Sequence, residues 1–140
     1  MFSLRKLWRD QGVPRQKRKT SSISVFRGIE AKLNKAIFHT LALTGPLTAY
    51  DIHKQVRHRR KLRHTRYASV NKRVRSLEDL GYIRKIGTKK TRAGFDASTY
   101  SLTTKAYLAL LLNSVDLEEL LKRVDDATAS AILAAITYIT

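Results

Sequence analysis

Residues 56–83, "VRHRRKLRHTRYASVNKRVRSLEDLGYI", make two demands at once. Nine of the 19 side chains in residues 57–75 are Lys or Arg, and none is Asp or Glu. Yet Tyr67, Val70, Val74 and Leu77 recur at helical spacing. On a helical wheel Val70, Val74 and Leu77 share a sector of about 60°, with Lys72, Arg75 and Ser76 opposite. The spacing predicts a helix with one face for a core and one cationic face left free. Thr65 or Ser69 is expected to cap it, and Gly81 to end it.

Upstream, Ile29, Leu33, Ile37 and Leu41 repeat every fourth residue, with Ala36 and Phe38 beside them. They predict a helix over 27–43, stopped by Gly45 and Pro46. Thr48, with Asp51 three residues on, starts a second helix over 49–56 that turns Ile52 and Val56 inward. Downstream of Gly81 the period changes. "YIRKIGTKK" and "ASTYSLT" are rich in β-branched and aromatic residues around "TRAGFD", which predicts a two-stranded hairpin. Thr103 or Thr104 then caps "KAYLALLLN", and Asp116 with Glu119 opens one further helix towards the end.

The formal net charge is +17 over 140 residues, and it is polarised along the chain. Residues 1–92 hold 25 Lys or Arg against 5 Asp or Glu, whereas residues 93–140 hold 3 against 6. Self-repulsion of that size opposes compaction, so a polyanionic partner is expected, nucleic acid before an anionic membrane. The absence of cysteine excludes disulfides and Cys-based zinc sites. No secretory signal or membrane-spanning stretch is evident, so an intracellular, cytoplasmic and nucleoid-associated location is expected. Three parts are expected: a flexible basic arm over 1–22, a folded domain over 23–112, and an apolar helical element over 113–140. Within the arm, Leu4, Leu7 and Trp8 are spaced for one helical turn.

Helix, helix, basic helix, hairpin and C-terminal helices are the layout of a winged helix-turn-helix domain. The expected class is α+β, mainly α: three helices, a two-stranded β-wing and C-terminal dimerisation helices. "LNKAIFHTLALTGPLTAYDIHKQV" resembles the first two helices of PadR-like regulators, and "SVNKRVRSLEDLGYIRK" resembles the recognition helix and first wing strand of these and MarR-like proteins. "STYSLTTKAYLALL" is similar to their second wing strand and following helix, so the likeness spans residues 29–112. Two departures stand out. Asn71 and Lys72 replace a small or aromatic residue and often Pro, and the linker over 57–64 is longer and more basic than usual. The resemblance implies a transcriptional regulator that binds double-stranded DNA as a homodimer, with no cofactor. An RNA-binding or ribosome-associated winged helix and a non-specific DNA-coating protein are the alternatives.

The free face of the basic helix, its leading linker and the wing tip are the three cationic places. Arg57, Arg59, Arg60, Lys61 and Arg63 suit phosphates, which give affinity and register. Ser69, Lys72 and Arg73, with Arg66 and Asn71 at the margins, are candidates for base edges. Lys89, Lys90 and Arg92 suit phosphate or a narrow minor groove. The plainer alternative for each cation is a solvated surface charge.

In the C-terminal segment Leu117, Leu121, Val124, Ala131 and Ala135 follow a 4-3 spacing interrupted at Thr128, and Ile132, Ile136 and Ile139 add a neighbouring stripe. Such a face is expected to pair two copies. His39, His53, His58 and His64 match no zinc spacing. The carboxylates form no catalytic pair, so enzymatic activity is not expected.

Overall fold

The computed structural model describes residues 23–140, and the expectations for the basic arm lie outside the described residues. A 3₁₀ turn at Ser24–Phe26 leads into α1 (Ala31–Thr44), β1 (Leu47–Thr48) and α2 (Ala49–Val56). A second 3₁₀ turn at Arg60–Leu62 precedes α3 (Tyr67–Asp79), then β2 (Ile83–Lys90) and β3 (Asp96–Leu102). The chain continues as α4 (Thr104–Ser114), α5 (Leu117–Arg123) and α6 (Asp126–Ile139). Three helices followed by an antiparallel hairpin make this a winged helix-turn-helix fold.

Local chemistry sets most boundaries. Gly45, at φ 78°, ends α1 and returns its N–H to the Leu41 carbonyl, a conformation that favours glycine. The Thr48 hydroxyl accepts from the Asp51 N–H at 3.1 Å, which starts α2. Thr103 accepts from the Ala106 N–H at 3.3 Å and donates its own proton to the Gly81 carbonyl at 2.6 Å. That one hydroxyl therefore starts α4 and ties it to the end of α3.

The core joins the three helices and the root of the wing. Ile37, Phe38, Ile52, Val56, Val70, Val74, Leu77 and Ala106 are fully buried, with Leu41, Ile83 and Leu102 around them. Each large apolar side chain enclosed in this way stabilises the fold by roughly 1.5–3 kcal/mol. Phe38 sits at the centre, edge-on to Phe26 at 5.2 Å and tilted against Tyr82 at 5.5 Å.

Several expectations are corrected. Helix α1 begins at Ala31, because Gly28 at φ 79° turns the chain just before it. Ile29 is consequently 98% exposed, and Val25 and Phe26 fill the core in its place. The sheet has three strands in the order β1-β3-β2, with Leu47 opposite Tyr100 and Thr48 opposite Thr99. A two-residue strand is too short to carry a periodic signal, so only pairing reveals it. Neither Thr65 nor Ser69 caps α3: Arg66 holds the cap position without a side-chain bond.

The C-terminal helix is also two helices. Val124 and Asp125 are extended, and the Asp125 carboxylate accepts from the Thr128 N–H at 2.7 Å, starting α6 afresh. That bond holds the Asp125 carboxyl below the usual aspartate range. The 4-3 stripe from Leu117 to Ala135 therefore does not run along one helix.

Candidate nucleic-acid interface

The linker between α2 and α3 is an ordered ledge. Leu62 is half-buried against the core, while Arg57, Arg59, Arg60, Lys61 and Arg63 are exposed. Arg57 Nε donates to the Arg63 carbonyl at 3.2 Å and closes the loop on itself. His53 Nε2 lies 2.8 Å from the Thr65 carbonyl. A carbonyl only accepts, so Nε2 carries the hydrogen. The same imidazole meets the Tyr67 ring edge-on at 5.9 Å. These two contacts from α2 place the first turn of α3.

On α3, Ser69, Lys72, Arg66 and Arg75 are exposed, and Asn71 is half-buried. Arg73 differs. Its side chain is only 16% exposed, with Nε 3.1 Å from Asn34 Oδ1 and 3.9 Å from Glu30 Oε2. Asn34 is buried and donates in turn to the Val25 carbonyl at 2.9 Å. Arg73 thus faces the start of α1 and is not grouped with Lys72 and Ser69.

The wing rises on the other flank of α3. Lys89 and Lys90 end β2, and Arg92 lies in the turn that follows. Between wing, α2 and α3 runs an open groove of about 1030 Å³, bordered by Tyr67, Asn71, Lys89, Lys90 and Arg92. Lys89 Nζ lies 3.5 Å from Asp51 Oδ2 across it. A smaller recess of about 310 Å³ is lined by Lys54, Arg57, His58 and Arg63.

The predicted cations are therefore brought together in part. The wing cations Lys89, Lys90 and Arg92 share the groove with Asn71 of α3, Arg57 and Arg63 of the linker line the recess that shares Lys54 with it, and Arg73 stands apart on the α1 side. Sequence reasoning missed Lys54 and Tyr50, which line the groove with Lys54 Nζ 5.7 Å from the Tyr50 ring centroid. The alternation of Ile52 and Val56 with polar residues in α2 already marked Tyr50 and Lys54 as outward-facing. Tyr67, expected in the core, is 45% exposed and forms part of the groove wall. Among the described residues no group of three or more His, Asp or Glu is placed to hold a metal ion. No helix among them is long and apolar enough to cross a membrane.

No family description and no curated protein matches the chain. Solved structures do. Bacillus subtilis PadR in complex with operator DNA is 21% identical, covers 74% of this chain and superposes with a TM-score of 0.47; this chain spans 66% of it, just under two thirds of its length. A MepR mutant from a multidrug-resistant S. aureus clinical isolate is 20% identical, with 99% and 96% of the two chains covered and a TM-score of 0.42. Streptococcus pneumoniae FabT in complex with DNA is 15% identical, with 82% and 78% covered and a TM-score of 0.39.

Proposed function

We propose that this chain is a sequence-specific DNA-binding transcriptional regulator acting as a homodimer, with α3 in the major groove and the wing on the adjacent groove or backbone. The observation that carries it is an open groove that brings the wing cations Lys89, Lys90 and Arg92 opposite Lys54 of α2 and Tyr67 and Asn71 of α3, with linker residues Arg57 and Arg63 in a recess that shares Lys54. An α-helix is ~10–12 Å across with its side chains, and the major groove of B-DNA is ~12 Å wide. Lys72 and Ser69 then address base edges, with Asn71 and Arg66 at the margins. Arg57, Arg59, Arg60, Lys61 and Arg63 hold phosphates on the linker side, and Lys89, Lys90 and Arg92 do so from the wing. Arg73 serves by locking α3 to α1.

The C-terminal helices supply the second copy. Of nineteen exposed large hydrophobic residues among those described, twelve lie in α4, α5 and α6. Neither α5 nor α6 buries a single residue within its own chain. Ile132, Ile136 and Ile139 share one face of α6, with small Ala131 and Ala135 on the same helix permitting close approach. Leu117 and Leu121 of α5, together with Val124 that follows it, extend the apolar surface, as do Leu108, Leu111 and Leu112 of α4. A two-fold pairing there sets two recognition helices on successive turns of DNA and calls for an inverted-repeat site.

Selection of the purified protein on a random duplex library, at two salt concentrations and with RNA competitor, tests the reading. An enriched palindrome that keeps an advantage of ~10³-fold or more at the higher salt is the expected outcome. Loss of duplex binding to the RNA competitor points to an RNA-binding winged helix. Equal binding to every duplex points to a coating protein.

A further inference from the structure

Helix α4 begins with a cation where a helix disfavours one. Thr103 holds the cap position and Lys105 follows in the first turn, which contains no acidic residue. Unpaired N–H groups make that end of a helix positive, so a lysine there is repelled unless another group draws it away. Here the group is the end of α3. Lys105 Nζ donates to the Leu80 carbonyl at 2.6 Å, and Leu80 caps the C-terminal end of α3. Free carbonyls make a helix C-terminus negative, which suits an ammonium.

Three further contacts converge on the same corner. Lys105 Nζ lies 4.8 Å from the Tyr82 ring centroid, within the range of a cation–π contact. Tyr82 in turn packs on Phe38 at the centre of the core. The Thr103 hydroxyl donates to the Gly81 carbonyl at 2.6 Å, and the Thr103 N–H to the Tyr82 carbonyl at 3.0 Å. The successive carbonyls of Leu80, Gly81 and Tyr82 are thereby all held by Thr103 and Lys105.

Little else fixes the direction of α4. Its buried side chains are Ala106 and Ala109, with Leu110 half-buried against the core. Alanine encloses little apolar area, so the polar corner carries a large share of the alignment. Helices α5 and α6 follow from α4 and bury no residue in their own chain. Whatever holds α4 against α3 therefore sets how the recognition helix is aimed relative to the apolar C-terminal surface.

We propose that Lys105 is a positioning residue that locks the end of α3 to the start of α4. It thereby fixes the separation of two recognition helices on DNA, a role that rests on the homodimeric regulator reading above. Each base pair added between half-sites moves one of them by ~3.4 Å and turns it by ~35°. Joined contacts to two half-sites raise affinity ~10²–10⁴-fold, and the gain disappears where geometry forbids both. A rigid corner selects one spacing, whereas a loose one accepts several.

Lys105 is exposed, and Lys105→Met keeps the length of the side chain while removing its charge. Lys105→Arg keeps a cation for the Leu80 carbonyl and the Tyr82 ring. The full chain and both variants are titrated against a single half-site and against inverted repeats whose spacing changes one base pair at a time. Two salt concentrations are used, with thermal unfolding alongside. Lys105→Met is expected to cut the advantage of the best spacing over its neighbours by ~10-fold or more, with half-site affinity and base preference unchanged. Lys105→Arg is expected to restore it. A loss of stability alone lowers the folded fraction and weakens binding to every duplex alike, so it leaves this ratio where it was. Weaker half-site binding with a smaller salt slope would make Lys105 a phosphate contact, and an unchanged spacing preference would leave it a surface cation. Either outcome overturns the positioning role while the regulator reading stands. If the unmodified chain binds no duplex, or binds only as a monomer, that reading falls and this role falls with it.

Discussion

Phe38 and Ile136 both carry large apolar side chains, yet Phe38 is fully enclosed while Ile136 is 53% exposed. The contrast holds for the regions they represent. From Ile23 to Leu102, helices α1–α3 and the sheet bury a shared core and direct their charges outward. From Thr104 onward the chain remains helical, but only Ala106 and Ala109 are buried. Residues 127–140 contain no charged side chain. The first region solves the burial problem alone. The second leaves it open, and helices of this length are marginal in water without packing. Positive charge and exposed apolar surface are thus kept on different parts of one chain.

The sharpest way to break this contrast is to cut one large side chain from each region. Phe38→Ala is expected to cost about 3–5 kcal/mol, because it leaves a cavity between Phe26 and Tyr82. Leu133→Ala, on the exposed side of α6, is expected to change the unfolding free energy of the monomer by less than ~0.5 kcal/mol. Urea unfolding of the two variants gives the comparison directly. Equal losses would mean that α6 packs on its own domain.

Association comes next in size. Ile132→Glu with Ile136→Glu is expected to turn a dimer into a monomer in sedimentation equilibrium. It should also abolish any dependence of the unfolding midpoint on protein concentration. Half-site binding should survive while affinity for the inverted repeat falls. A dimer that persists would place the interface elsewhere, with α4 as the first alternative.

Within the charged region, Lys72→Ala and Arg73→Ala separate reading from positioning. Lys72→Ala is expected to relax preference at one base pair by about 1–3 kcal/mol and leave thermal stability unchanged. Arg73→Ala removes the partner of buried Asn34 and is expected to lower stability by about 1–3 kcal/mol. Binding titrations on single-base operator variants, with melts of both proteins, decide between the roles.

The smallest expected effect is one of pH. The His39 pKa lies below its ordinary 6.5, chiefly through burial and then through Arg59 and Lys35. The unfolded chain therefore takes up this proton first as pH falls. Stability at this site is whole above about 6.5 and declines as pH drops through the folded value. His39→Gln is expected to flatten that decline. NMR titration of the imidazole checks the direction, and an upward shift on adding duplex DNA would report a phosphate nearby.

How much was legible in advance varied with the range of the interaction involved. Helix α2, the wing strands and the caps at Thr48, Thr103 and Asp116 were readable, because each depends on contacts within a few residues. So were Val70, Val74 and Leu77 as the buried face of α3, since helical period alone decides which side they share. Charge polarity along the chain needed no structure at all. Ile29 and Val25 exchanged roles because a single glycine turned the chain before α1. Arg73 and Lys72 are neighbours of the same chemistry. Only the approach of α1, 39 residues earlier at Asn34, separates the side chain that holds the helix from the one left free. Period, capping and charge are local properties and are written in the sequence. Which cation is tied inward, which tyrosine lines the groove and where a third strand pairs depend on distant segments meeting, and only the tertiary structure decides them.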